Sequence, residues 1–271
     1  MATVARVADH SCSLCGTPSA GPWYELPRGL IRRCCNPSCG LGFLETQPDD
    51  VELGRYYDEY YYPEHGGGGV FENSTPSKLV QHFAALDDRV GLRGKAVLDY
   101  GCGVGNFLEV ASASGAEPVG SEYDDVARRE AQAKRFRVVK TIDELEPEMF
   151  DFVYMNDVIE HLRDPVADLG EIRRRLKPDG VLFVVTMNMR GIKPRLRGKK
   201  WDVVTNPTHL WFYDETSLAA TLHKSGYENL EVQRWPVHFD HHRGARRMLQ
   251  TVLQRRGLDA SLRMLARPGN C

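Results

Sequence analysis

A doubly wound, mostly parallel α/β sheet preceded by a small cysteine-rich ribbon is the fold this chain predicts, and three observations predict it. Short apolar runs alternate with helical patterns between Lys95 and Trp235. The first of those runs, Ala96–Tyr100, opens into the glycine turn Gly101-Cys102-Gly103-Val104-Gly105. Upstream, five of the seven cysteines fall between Cys12 and Cys39.

Residues 1–45 form the ribbon. Cys12-x2-Cys15 is followed 19 residues later by Cys34-Cys35-Asn-Pro-Ser-Cys39-Gly. Two such knuckles suit tetrahedral zinc, and four thiolates leave no open position, so a structural Zn2+ is expected. In a reducing compartment this clustering reads as metal binding rather than as disulfides. The second knuckle offers Cys34 or Cys35 beside Cys39. The run Cys34-x-Asn-Pro-x-Cys39-Gly resembles a common ribbon knuckle, which favours Cys12, Cys15, Cys34 and Cys39 as the ligands. Residues 46–94 read as an aromatic and glycine-rich lid or linker, with Tyr56, Tyr57, Tyr60, Tyr61 and Tyr62 and then Gly66 to Gly69.

Residues 95–235 carry the sheet. A helix starts at Asn106, Glu117–Glu122 is a second strand, and a polar helix runs to about Arg135. Arg137–Lys140 is a weak third strand and Phe150–Met155 a fourth. Val166, Leu169, Ile172 and Leu176 recur at spacings of three and four, one face of a helix. Asp164-Pro165 starts that helix, and Pro178-Asp179-Gly180 is expected to end it. Val181–Thr186 is an apolar run of the kind buried in a parallel sheet. A helix from about Thr216 to Lys224 stops at Gly226, and Tyr227–Trp235 is a further strand. Residues 236–271 read as a basic, mostly helical extension.

Composition narrows the function. The 271 residues are 42% hydrophobic and 27% charged, with a net charge of −2, which suits a folded protein and not a general nucleic-acid binder. Basic residues nevertheless cluster: six with no acid from Arg190 to Lys200, and seven arginines against Asp259 from Arg243 to Arg267. Such patches can meet an anionic acceptor or partner, or merely be solvated. No apolar run is long enough for a membrane span and the N-terminus lacks a signal-peptide stretch, so no membrane partner and a cytoplasmic location are expected.

The glycine turn carries the most specific chemistry. It follows a strand and opens a helix, and Glu122 ends the next strand 17 positions past Gly105. A carboxylate there can accept both ribose hydroxyls of an adenosine-containing cofactor. A dinucleotide site would want one more residue in the turn. Asp99, just before the turn, suits a cationic cofactor rather than a diphosphate.

The ordered motifs Asp99-Tyr-Gly-Cys-Gly-Val-Gly, Gly120-Ser-Glu, Phe150-Asp-Phe-Val-Tyr-Met-Asn-Asp-Val-Ile-Glu-His-Leu and Leu176-Lys-Pro-Asp-Gly-Val-Leu-Phe-Val-Val-Thr resemble class I S-adenosylmethionine-dependent methyltransferases, which are Rossmann-like. The resemblance is closest to the branch with quinone-biosynthesis and sugar methyltransferases. It implies that Asp99, Gly101 and Gly103 line the methionine part of S-adenosylmethionine, that Glu122 holds the ribose, and that Asn156 and Asp157 lie beside the cofactor. It also implies a biosynthetic enzyme and an acceptor-side role for His209.

Methyl transfer to an alcohol needs alignment and a base. His161, with Glu160 beside it, follows the fourth strand, and His209 follows the basic stretch. Both are candidate bases, His161 with an equal claim to a packing role. The expected reaction is methylation of a small polar acceptor, a hydroxyl of a sugar, glycoside or natural product. Two other readings compete: an RNA methyltransferase, favoured by the basic patches, and a non-catalytic binding module built on the ribbon.

Overall fold

A computed structural model describes residues 11–18, 20–56, 76–237 and 244–269. The ribbon is a hairpin of β1 (Gly21–Leu26) and β2 (Gly29–Arg33), with β3 (Gly42–Leu44) beside it. α1 (Asp50–Tyr56) and α2 (Pro76–Val90) follow. The main unit then alternates: β4 (Ala96–Tyr100), α3 (Asn106–Ala113), β5 (Glu117–Ser121), α4 (Asp125–Ala133), β6 (Val138–Val139), β7 (Phe150–Asn156), α5 (Pro165–Arg175) and β8 (Leu176–Met187). It is completed by α6 (Ile192–Arg197), α7 (Asp202–Thr205), β9 (Trp211–Phe212), α8 (Glu215–Lys224), β10 (Tyr227–Val232), α9 (Gly244–Arg255) and β11 (Ser261–Pro268).

Three of the helix starts follow side-chain caps. Asp124 accepts from the amides of Val126 and Ala127, Asp164 does so for Val166 and Ala167, and Asp214 forms a capping box with Ser217. Pro165 takes the first turn of α5, where its missing N–H is harmless.

Among the described residues the main sheet runs β10-β11-β8-β7-β4-β5-β6, with β11 antiparallel to both neighbours and the rest parallel. Strand order reverses at β4. β5 and β6 lie to one side, β7 and β8 to the other, so a ligand crevice is expected beyond the carboxyl ends of β4 and β7.

Four features depart from the sequence reading. First, Pro178-Asp179-Gly180 does not end a helix. α5 stops at Arg175, and these residues form a bulge inside β8, whose pairing with β7 jumps from Phe150↔Leu176 to Phe152↔Val181. A side chain at Gly180 would sit 3.1 Å from the Phe150 carbonyl oxygen, so the bulge needs glycine. Second, the C-terminal segment is not helical throughout: Ser261–Pro268 inserts as β11 between β8 and β10. Its alternation was hidden by Arg263, a buried guanidinium that donates to the Trp235 carbonyl and to Asp259. Third, α2 is no linker. Leu79, Phe83 and Leu86 pack with Val97, Phe107 and Val185 in one core cluster. Fourth, the ribbon is not a separate body. β9 extends its sheet, pairing Phe43 with Trp211, and Cys12, Leu41 and Phe43 share a core with Leu98, Val153 and Tyr213. Tyr57, Tyr60, Tyr61, Tyr62 and Gly66 to Gly69, the expected lid, lie outside the described residues.

Candidate active site

The cofactor half is built on the turn after β4. Gly101, Gly103 and Gly105 have φ of +76°, +53° and +83°, left-handed values that favour glycine. A Cβ on Gly101 would lie 2.5 Å from Val158 Cγ2, so the turn also needs room against the loop after β7. Glu122 closes the turn: its two carboxylate oxygens accept from the amides of Gly103 (2.9 Å) and Asp124 (2.8 Å). Burial raises the Glu122 carboxyl above its ordinary value, against the pull of those two amides. Asp99 is buried deeper, and burial followed by the nearby Glu122 raises it well above the usual range. Two acids therefore face the turn, a set of acceptors suited to hydroxyls and a positive charge and hostile to a diphosphate.

Asp157 opens to solvent after β7 with φ +53°, a left-handed conformation that a non-glycine residue adopts at some cost. Its amide donates to Val185, and the Asn156 side chain donates to its carboxylate at 3.1 Å. This kink sets Val158 on Gly101 and starts the short 3-10 helix Ile159–His161.

That helix brings the acceptor-side candidates together. The rings of His161 and His209 meet edge to face, centroids 4.7 Å apart. His161 Nδ1 lies 3.1 Å from the Thr208 carbonyl and His209 Nδ1 lies 2.7 Å from the Val203 carbonyl. A carbonyl only accepts, so each Nδ1 carries the proton and each Nε2 keeps the lone pair. Burial lowers His161 to about 4 and, with His161 adding to it, pushes His209 well below the ordinary range. Burial thus favours the neutral form of both imidazoles, with the Nε2 of each as the basic atom. Glu160 is 2% exposed, accepts from Thr186 Oγ1 at 2.9 Å, and is raised to about 8 by burial and then by Asp157.

Several contributors carried no sequence signal. Thr186 and Thr208 anchor Glu160 and His161 from distant segments, and the Val203 carbonyl holds His209 from six residues upstream. Lys78, in the first turn of α2, is lowered to about 8 by burial while Asp157 and Asp259 pull it upward. Arg28 is the largest omission. From the β1–β2 turn its guanidinium donates to the carbonyls of Val204 (3.1 Å), Pro207 (3.3 Å) and His209 (3.0 Å), gripping the loop that bears His209. The basic stretch is partly used internally: Arg190 pairs with Asp214 at 3.1 Å and Arg197 with Asp202 at 3.8 Å.

The thiols of Cys12, Cys15, Cys34 and Cys39 all lie within 4.8 Å of one another. Cys12 and Cys39 are 3.8 Å apart, Cys15 and Cys34 3.4 Å. Tetrahedral zinc with Zn–S near 2.3 Å puts sulfurs about 3.8 Å apart, so the four fit the ion. Cys35 is exposed and outside the group.

Known proteins place this architecture. A family model described as a methyltransferase domain matches residues 72–232, more than half of the chain. A ubiquinone biosynthesis O-methyltransferase of Pseudomonas fluorescens is 33% identical over 113 residues, 38% of this chain and 49% of that protein. One from Actinobacillus pleuropneumoniae is 36% identical over 112 residues, covering 36% and 48%. The chain thus spans about half the length of these curated relatives. Among solved structures, the Burkholderia thailandensis 1,6-didemethyltoxoflavin-N1-methyltransferase, with S-adenosylhomocysteine bound, superposes with TM-score 0.59 at 18% identity, covering 93% of this chain and 100% of its own. A Haemonchus contortus phosphoethanolamine N-methyltransferase 2 with S-adenosyl-L-methionine gives TM-score 0.59 at 19% identity, covering 85% and 62%. The two solved structures share the fold; the family model, laid over the strands and turn described above, carries membership. This chain belongs to the class I S-adenosylmethionine-dependent methyltransferases.

Proposed function

We propose that the chain methylates a hydroxyl of a small polar acceptor, a sugar, glycoside or natural product, with S-adenosylmethionine held by Asp99, Gly101, Gly103, Glu122, Asn156 and Asp157. The cofactor, when bound, supplies an electrophilic methyl on a sulfonium. The observation that carries the reading is the pair His161 and His209, rings edge to face with centroids 4.7 Å apart, each with Nδ1 on a backbone carbonyl. One of them takes the acceptor's proton as oxygen approaches the methyl, worth roughly 10²–10⁴ in rate. Glu160, held by Thr186, orients that pair or shares the proton. The remaining contribution is alignment of oxygen, methyl and sulfur. Oxygen as the accepting atom is supported by the O-methyltransferase names of the sequence relatives. The basic segment from Arg190 to Lys200 follows β8 at the same sheet edge and suits an acceptor bearing a phosphate or carboxylate. A structural zinc on Cys12, Cys15, Cys34 and Cys39 completes the reading.

Labelled donor incubated with acceptor pools, followed by mass spectrometry, is the test. A labelled hydroxyl product is expected. His161→Ala and His209→Ala should keep donor affinity by calorimetry, and one should lose turnover by the factor above. Donor binding with no methylated product from any pool would favour a non-catalytic module.

A further inference from the structure

α9 is turned inside out. Its glutamines face the protein: Gln250 and Gln254 both donate to the Val237 carbonyl, at 2.9 and 2.7 Å, and Gln254 accepts from the Val237 amide at 3.1 Å. Three of its apolar side chains face outward, while Leu253 is half-buried. Met248, Leu249 and Val252 are 69%, 58% and 42% exposed, and residues three and four apart share one helix face. Arg255 and Arg256 stand three and four positions beyond Val252 and continue that face. Arg246 and Arg247 are exposed in its first turn, and no acid lies between Gly244 and Leu258. α6 adds to the pattern. The Ile192 amide donates to the Leu258 carbonyl at 2.9 Å, tying the start of α6 to the turn three residues past α9, and α6 carries Leu196, 78% exposed, among Lys193, Arg195 and Arg197.

We infer that this face docks the enzyme on an anionic lipid surface, with Met248, Leu249 and Val252 entering the interface and the arginines meeting lipid headgroups. An outward apolar stripe beside a purely basic rim is what an interfacial helix requires. A second copy of the chain fits poorly, because a two-fold contact would set these arginines against their own images. Docking is peripheral: no helix among the described residues is long and apolar enough to cross a membrane. The face adjoins the acceptor side of the sheet. Asn188, just past β8, donates to the carbonyls of Gly257 and Asp259, 3.0 Å each. A surface-bound enzyme would therefore meet amphiphilic acceptors at the bilayer.

Flotation of the 271-residue chain with vesicles tests this, using phosphatidylcholine alone or with a third replaced by phosphatidylglycerol. Binding is expected only to the anionic vesicles, and should be lost in molar salt, where the Debye length is about 3 Å. Arg255→Gln with Arg256→Gln should weaken it about 25-fold, taking roughly fivefold per arginine at the surface. Met248→Ser with Leu249→Ser should weaken it at least as much while leaving the thermal midpoint and donor affinity unchanged, since both side chains are exposed. The inference is overturned by no binding to anionic vesicles, by equal binding to both compositions, or by binding that neither pair alters. It is overturned too if light scattering finds a dimer that Met248→Ser with Leu249→Ser dissolves. Donor binding and labelled-product assays are independent of lipid, so failure here leaves the proposed reaction standing.

Discussion

Glu122 is fixed within the fold, and in the proposed function it also holds the cofactor's ribose. Two amides fix it across the glycine turn, and burial is tolerated because both oxygens are occupied. Glu122→Ala should weaken donor binding by about 1–3 kcal/mol, as hydroxyls and amides lose their acceptor; calorimetry with S-adenosylmethionine measures it. Glu122→Gln should weaken it too, since its amide nitrogen must face one of the two backbone N–H groups. Unchanged affinity in both variants would put the cofactor elsewhere. His161 gives a pH prediction. Its folded value is about 4, below the ordinary 6.5, so the unfolded chain takes up a proton that the native state refuses. Stability is then full above about 6.5 and falls as pH drops toward 4. Melting midpoints across that range should decline in the parent and flatten in His161→Asn. Glu160 acts in the opposite sense, its raised value of about 8 costing stability as pH rises toward it. An acid limb equally steep in both proteins would mean that other groups set it.

At the scale of elements, the loop between α7 and β9 is held by a distant stretch of the chain. Arg28 supplies the grip on three carbonyls, and β3 pairs with β9 just after His209. Arg28→Ala leaves those carbonyls without their donor, a loss of about 1–3 kcal/mol in stability. Turnover should fall with it while donor affinity holds, because the glycine turn lies on a different loop. Arg28→Lys should fail to restore turnover, since one ammonium cannot span the three acceptors that a planar guanidinium reaches. Calorimetry beside single-turnover kinetics separates the two effects; equal losses in donor affinity and turnover would mean a global unfolding instead. The turn after β4 was legible because glycine spacing after an apolar run is a local property. The grip was not, because Arg28 lies in an ordinary hairpin turn some 180 residues from its partners.

For the whole molecule, the ribbon and the Rossmann-like unit share a sheet and a core, so loss of metal should be felt at the active site. Freshly purified chain should carry about one zinc with four sulfur ligands. Cys12→Ser should lose it, lower the melting midpoint, and depress turnover more than donor affinity, because metal-binding energy is folding energy in such ribbons. Metal analysis finding no zinc in the parent would sink this. By itself the sequence determined the alternation from β4 to β8, the glycine turn with Asp99 and Glu122, and the cysteine knuckles. Each is written in spacing, which short-range sterics and periodicity translate directly into local structure. Only the tertiary structure decided the rest. It chose Cys34 over Cys35 by distance, and it placed β11 between β8 and β10 although a buried arginine masks its pattern. It also set His161 against His209, because their meeting depends on carbonyls and an arginine supplied by segments that no local rule connects.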